Sequence, residues 1–168
     1  MKRVVLSILV DNTSGVLSRV SGLFSRRGYN IDSLTVGETQ DPSISRMTVA
    51  VFGDNQIIEQ IKKQLQKLED VREITELVHG ESVLRELILV KVAANVDNRQ
   101  SIIAIADIFR AKIVDVSIDS MMIELTGNQA KLDAFIKLLE GFVIKEMVRT
   151  GITGLARGAG DIADYLDD

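Results

Sequence analysis

The residues best suited to chemistry sit in one polar loop, Asp11-Asn12-Thr13-Ser14-Gly15-Val16-Leu17. A glycine at a helix entry lets a ligand approach the backbone closely. The unpaired amide N–H groups of a first helical turn, aided by the helix dipole, favour a carboxylate. Asn12 and Asn30 flank the loop-helix unit, and a chain that turns back at Gly28 is expected to bring both near one sheet edge. Their side-chain carbonyls can accept from an ammonium and their amides can donate to a carboxylate. Val16, Leu17 and Ile31 supply a small apolar wall, and Ser18 lies on the first turn. The set suits a free, small, aliphatic amino acid. The same residues also have a plain structural use: Asn12 or Ser14 as a helix cap, Gly15 in a tight turn and Asn30 in the turn after the helix.

Other candidates for chemistry fall away. His79 is the only histidine and cysteine is absent, so neither a histidine cluster nor a thiolate zinc site can be assembled. A Ser-His-Asp arrangement would have to recruit His79, yet no G-x-S-x-G elbow exists. Asp161, Asp164, Asp167 and Asp168 lack calcium-loop spacing and read as a charged tail. Gly151-Ile152-Thr153-Gly154 and Gly158-Ala159-Gly160 lack the Lys-Ser/Thr pair of a phosphate loop. No catalytic residue and no metal ligand is assigned.

Composition narrows the class. The 168 residues carry a formal charge of −4, which argues against a nucleic-acid scaffold. No apolar run approaches the length of a membrane span. With no cysteine and no signal peptide, a cytoplasmic location is expected.

The elements that must position the loop follow from periodicity. Val4–Val10 reads as a strand, and Val16, Val20, Leu23 and Phe24 form a helical stripe that Gly28 ends. Ile31–Val36 and Ile44–Phe52 read as strands joined by a hairpin at Asp41-Pro42, the second of them half-buried. Ile57, Ile61, Leu65 and Leu68 make a second helix, and Val71–Val78 closes the unit. The order recurs: a strand at Leu87–Val92, a helix through Ile102 and Phe109, strands at Ile113–Ile118 and Met121–Leu125, a helix through Leu132 and Leu139, and a strand at Val143–Val148. The chain is therefore α+β, two tandem ferredoxin-like βαββαβ units, with domains 1–79 and 80–168 and a seam at His79–Ser82. Right-handed crossovers put both helices of a unit on one sheet face, leaving the other face and two edges for a partner.

The segment DNTSGVLSRVSGLFSRRGYNIDSLTVGETQDPSISRMTVAV resembles the small regulatory subunits of acetolactate synthase (acetohydroxyacid synthase). Its opening strand with N-x-x-G-V-L is the general pattern of ACT domains; GLFSRRGYNIDSLTVG and SRMT are far more specific. The resemblance extends through LVKV, FRAKIVDVS, KLDAFI and RTGITGLARG. It implies an N-terminal ACT domain that binds a branched-chain amino acid, usually valine, between two chains of a homodimer. Carried onto this sequence, Asn12, Gly15 and Asn30 would hold the effector. Gly15 and Val16 would offer N–H groups, and Leu17 and Ile31 would line the pocket beside Ser18. It implies a large catalytic subunit as partner, with thiamine diphosphate, magnesium and FAD on that partner and no cofactor in this chain. The C-terminal unit would transmit the effector signal. The competing readings are a stand-alone ACT-type sensor acting on a different partner, and a small enzyme on the same fold.

Overall fold

The computed structural model describes residues 1–166. Asp167 and Asp168, half of the expected acidic tail, lie outside them. Two compact units form: Met1–Val83 joined by the chain from Ile152 onward, and Leu84–Gly151. This differs from a division at residue 79 in one respect that matters. The C-terminal segment returns to the first unit instead of ending the second.

In the first unit, β1 (Lys2–Asp11), α1 (Val16–Arg26), β2 (Ile31–Glu38), β3 (Ile44–Gly53), α2 (Asn55–Gln66) and β4 (Val71–Glu76) follow the expected order. The antiparallel sheet runs β2-β3-β1-β4, so β2 and β4 are its edges. Val4, Leu6, Ile8 and Val10 of β1 and Met47, Val49 and Val51 of β3 meet Val20, Leu23 and Phe24 of α1 and Ile58, Ile61 and Leu65 of α2. That cluster occupies one face of the sheet.

The opposite face departs from expectation. Thr48 and Ala50 are buried, so β3 is covered on both sides instead of half-buried, and Val5 and Leu9 of β1 are buried as well. The returning segment accounts for part of this at β2. Thr35 Oγ1 donates to the Ile152 carbonyl at 3.3 Å, and the Ile152 N–H reaches Ser33 Oγ at 3.5 Å. A strand that lies between two covered faces cannot show the alternation of a solvated one.

The second unit repeats the plan with β5 (Ser82–Ala93), α3 (Arg99–Ile108), β6 (Lys112–Val116), β7 (Ser120–Gly127), α4 (Gln129–Leu138) and β8 (Ile144–Arg149) in the order β6-β7-β5-β8. Phe135, Ile102, Ile123 and Leu132 anchor its core, where the rings of Phe109 and Phe135 meet edge to face. Two elements of the segment that follows, from Ile152 on, lie beyond the periodic pattern: β9 (Thr153–Ala156) and a 3-10 turn at Ile162–Tyr165 whose start is capped by Asp161. Both are too short to carry a periodic signal.

Corresponding helices in the two units end alike but with different residues. After α1 the Gly28 and Tyr29 N–H groups close on Ser25 and Phe24, with Gly28 at φ 69°. After α3 the same closure runs from Arg110 to Asp107 and from Ala111 to Ala106, and Arg110 holds φ 57°. A left-handed conformation costs a non-glycine residue roughly 1 kcal/mol. Arg110→Gly is therefore expected to stabilise the second unit by up to about 1 kcal/mol, read as a higher urea midpoint. A lower midpoint would show that the arginine side chain contributes more than the backbone strain removes.

Candidate functional site

The loop between β1 and α1 is built by both neighbouring elements. The Asn12 N–H donates to the Ser43 carbonyl at 2.7 Å, and Asn12 Nδ2 donates to the Pro42 carbonyl at 2.9 Å and to Glu38 Oε1 at 3.1 Å. Both acceptors lie in or beside the β2–β3 turn, which Asp41 shapes by accepting from the Ser43 N–H and hydroxyl. Those bonds favour the charged carboxylate and hold Asp41 below the usual carboxylate range. Because a carbonyl and a carboxylate can only accept from Asn12, its amide nitrogen must face them. Its two donors are thereby used, and its carbonyl oxygen is left for a ligand donor.

Gly15 stands at the start of α1 with φ 85°. A Cβ there would come within 2.9 Å of Arg19 Nη1. Arg19 braces the loop: its Nε donates to Asp70 at 2.6 Å, and Nη2 reaches the Ser14 carbonyl at 3.4 Å. Asp70 keeps the Arg19 guanidinium more firmly charged than usual. On the same side, two residues on from Asp70, Arg72 pairs with Asp11 at 2.7 Å.

No side chain caps α1. By contrast, Asp54 accepts from the Ile57 N–H to cap α2, and Asn128 accepts from the Lys131 N–H to cap α4. Asn12 and Ser14 therefore do not serve as caps here. The first-turn N–H groups of Leu17 and Ser18 remain for an acceptor, while that of Val16 makes only a long contact of 3.4 Å with the Thr13 carbonyl.

Two readings from the sequence need correction. The Val16 side chain is buried in the core, so it offers a pocket only its backbone. More important, Asn12 and Asn30 do not converge within one chain. Asp11 pairs with Ile44 at the start of β3, whereas Ile31 pairs with Val51 near its end. That interval places the two asparagines roughly 23 Å apart at ~3.3 Å per residue. The cause is the crossover itself: the helix carries the chain back to the end of the sheet where β1 began. Asn30 is exposed there, and Ile31 is partly buried against the core.

Leu17 and Ser18 lie exposed on the first turn, and Val36 near the far end of β2 is 47% exposed. Val36, Glu38, Arg19 and Asp70 were not singled out from the sequence. The position of Arg19, one helical turn after Gly15, was a signal available for it. Glu38 and Asp70 are brought to the loop only by strand pairing, and Val36 lies two residues before Glu38 on β2.

Among the described residues no group of histidine, cysteine or carboxylate side chains is placed to hold a metal ion. No helix of the described residues is long and apolar enough to cross a membrane.

Comparison with known proteins decides the family. Residues 6–73 match the AHAS small subunit-like ACT domain, and residues 85–158 match the small subunit of acetolactate synthase. A probable acetolactate synthase small subunit of Methanothermobacter thermautotrophicus is 49% identical over 156 residues, covering 92% of this chain and 93% of that protein. The chain belongs to the acetolactate synthase small-subunit family. The isozyme 3 small subunit of Escherichia coli is 48% identical, covering 93% of this chain and 96% of its own length. The crystal structure of the Thermotoga maritima acetolactate synthase small subunit superposes with a TM-score of 0.88 at 41% identity, covering 95% of this chain and all of that one. The fold expected from the sequence, tandem βαββαβ units beginning with an ACT domain, is the family's.

Proposed function

We propose that the protein is the regulatory subunit of a cytoplasmic acetolactate synthase, activating a large catalytic subunit and conferring feedback inhibition by a branched-chain amino acid, valine first among them. In this reading the chain carries no cofactor; thiamine diphosphate, magnesium and FAD reside on the catalytic partner. The observation that carries the effector site is the separation of Asn12 from Asn30 along β3. A single chain cannot close both around one small molecule, but a two-fold pair can.

β2 is an open edge. A second copy added antiparallel along β2 places each Asn30 beside the other chain's Glu38 end, which is where Asn12 is held. Each seam then gathers Gly15, Asn12, Leu17 and Ser18 from one chain and Asn30 and Ile31 from the other. The α1 first turn takes the carboxylate, the Asn12 carbonyl takes the ammonium, and Leu17 with Ile31 faces the aliphatic side chain. An effector that bridges two chains favours one arrangement of the pair, and this is the requirement for it to act at a distance. Couplings of roughly 1–3 kcal/mol are enough for graded feedback.

Subunit mixing tests the bridge. Asn12→Ala and Asn30→Ala should each abolish valine binding in calorimetry. Unfolded and re-annealed together in equal amounts, they should regain about a quarter of the wild-type sites, because each mixed dimer has one seam with neither substitution. Complementation that never appears, while each variant remains a folded dimer, would rule out a shared site. A stand-alone sensor differs in one respect: it would bind valine and ignore the catalytic subunit in a pull-down.

A further inference from the structure

Glu38 ends β2 with its carboxylate 3.1 Å from Asn12 Nδ2, and it has no ion pair among the described residues. Two other acids of the loop are held by arginines, Asp11 by Arg72 and Asp70 by Arg19, whereas Asp41 of the adjoining turn directs its carboxylate to the Ser43 N–H and hydroxyl. An exposed carboxylate with no ion pair among the described residues thus stands beside Asn12, whose remaining side-chain valence is a hydrogen-bond acceptor. We propose that Glu38 supplies the negative charge that selects a protonated α-ammonium, making the site specific for amino acids over the corresponding carboxylic acids. The inference rests on the effector site described above and adds its source of charge selectivity.

The chemistry requires such a group. The α1 first turn attracts any small branched carboxylate, whether or not it carries an amine. An amide carbonyl accepts from an ammonium but also from a neutral hydroxyl, so Asn12 alone discriminates weakly. A carboxylate next to it makes the hydrogen bond charge-assisted and penalises ligands that bring only negative charge. Asn12 and Glu38 are tied to each other, so both present acceptors from one fixed position.

Glu38→Gln separates charge from shape, because the glutamine carbonyl can still accept from Asn12 Nδ2. Calorimetry on the full chain, with valine and with isovalerate as probes, reads the selectivity. The variant should bind valine about tenfold more weakly or worse, the usual loss for a charge-assisted bond, while isovalerate binding stays level or improves. Equal weakening of both probes would mean that Glu38 only holds the hairpin, and overturns its role in selectivity. An unchanged preference for valine overturns it too. Failure of the wild-type chain to bind valine at all would remove the effector site itself, an outcome distinct from the other two.

Discussion

Gly15→Asp is expected to yield a folded subunit that still activates the catalytic partner and no longer responds to valine. Three features of the loop set this outcome. The backbone at Gly15 has φ 85°, a conformation that aspartate tolerates better than most residues, at a cost of roughly 1 kcal/mol. The nearest atom to a new Cβ is the far end of a flexible arginine, Arg19 Nη1, which can move. The fold therefore survives. The new carboxylate, however, stands at the first-turn N–H groups where the effector carboxylate belongs. Like charges forced together in a recognition site cost several kcal/mol, so valine affinity falls about 100-fold or more. Calorimetry with valine, beside an activation assay with the large subunit, gives both readings. Normal valine binding by the variant would mean that the carboxylate lies elsewhere. Lost activation would mean that the loop itself touches the partner.

Arg149→Met has the largest expected effect on stability. Glu86 on β5 is 4% exposed, and Arg149 on β8 clasps it through Nε and Nη2, both at 2.9 Å. The third nitrogen, Nη1, reaches Asp133 on α4 at 2.9 Å, so one guanidinium pins three elements of the second unit. Glu86 and Asp133 in turn keep the Arg149 guanidinium charged more firmly than usual. Methionine fills similar space but leaves a buried carboxylate without a counter-charge. Breaking such a pair from one side costs about 3 kcal/mol or more, whereas replacing both members by apolar residues is often near neutral. The single variant should thus lose about 3 kcal/mol in urea unfolding of the second unit, and Glu86→Met with Arg149→Met should recover most of it. A double variant as unstable as the single one would show that packing, not the stranded charge, sets the loss.

How much was legible beforehand depends on the kind of residue. Helical stripes such as Val16-Val20-Leu23-Phe24 and strand runs such as Val4–Val10 announce themselves, because burial on one face imposes a local period. Gly28 and Gly15 are legible for a related reason, since positive φ at a helix end is a backbone demand that few residues meet. Glu38 was not legible. Its role arises from a hydrogen bond to a residue 26 positions away. Nor was Glu86, whose charge among strand residues becomes meaningful only once the Arg149 side chain reaches it from β8.

The amino-acid sequence by itself determined the tandem βαββαβ plan and the family, and it marked the loop from Asp11 to Leu17 as the candidate site. All three depend on residues close together in the chain, where spacing translates directly into geometry. Tertiary structure alone decided that the chain from Ile152 returns to the first unit, that β3 is buried on both faces, and that Asn12 and Asn30 lie at opposite ends of the sheet. These depend on which strands pair and in what register, and pairing joins residues whose separation along the chain carries no local signal. The last of them is why the proposed effector site draws on two chains and not on one.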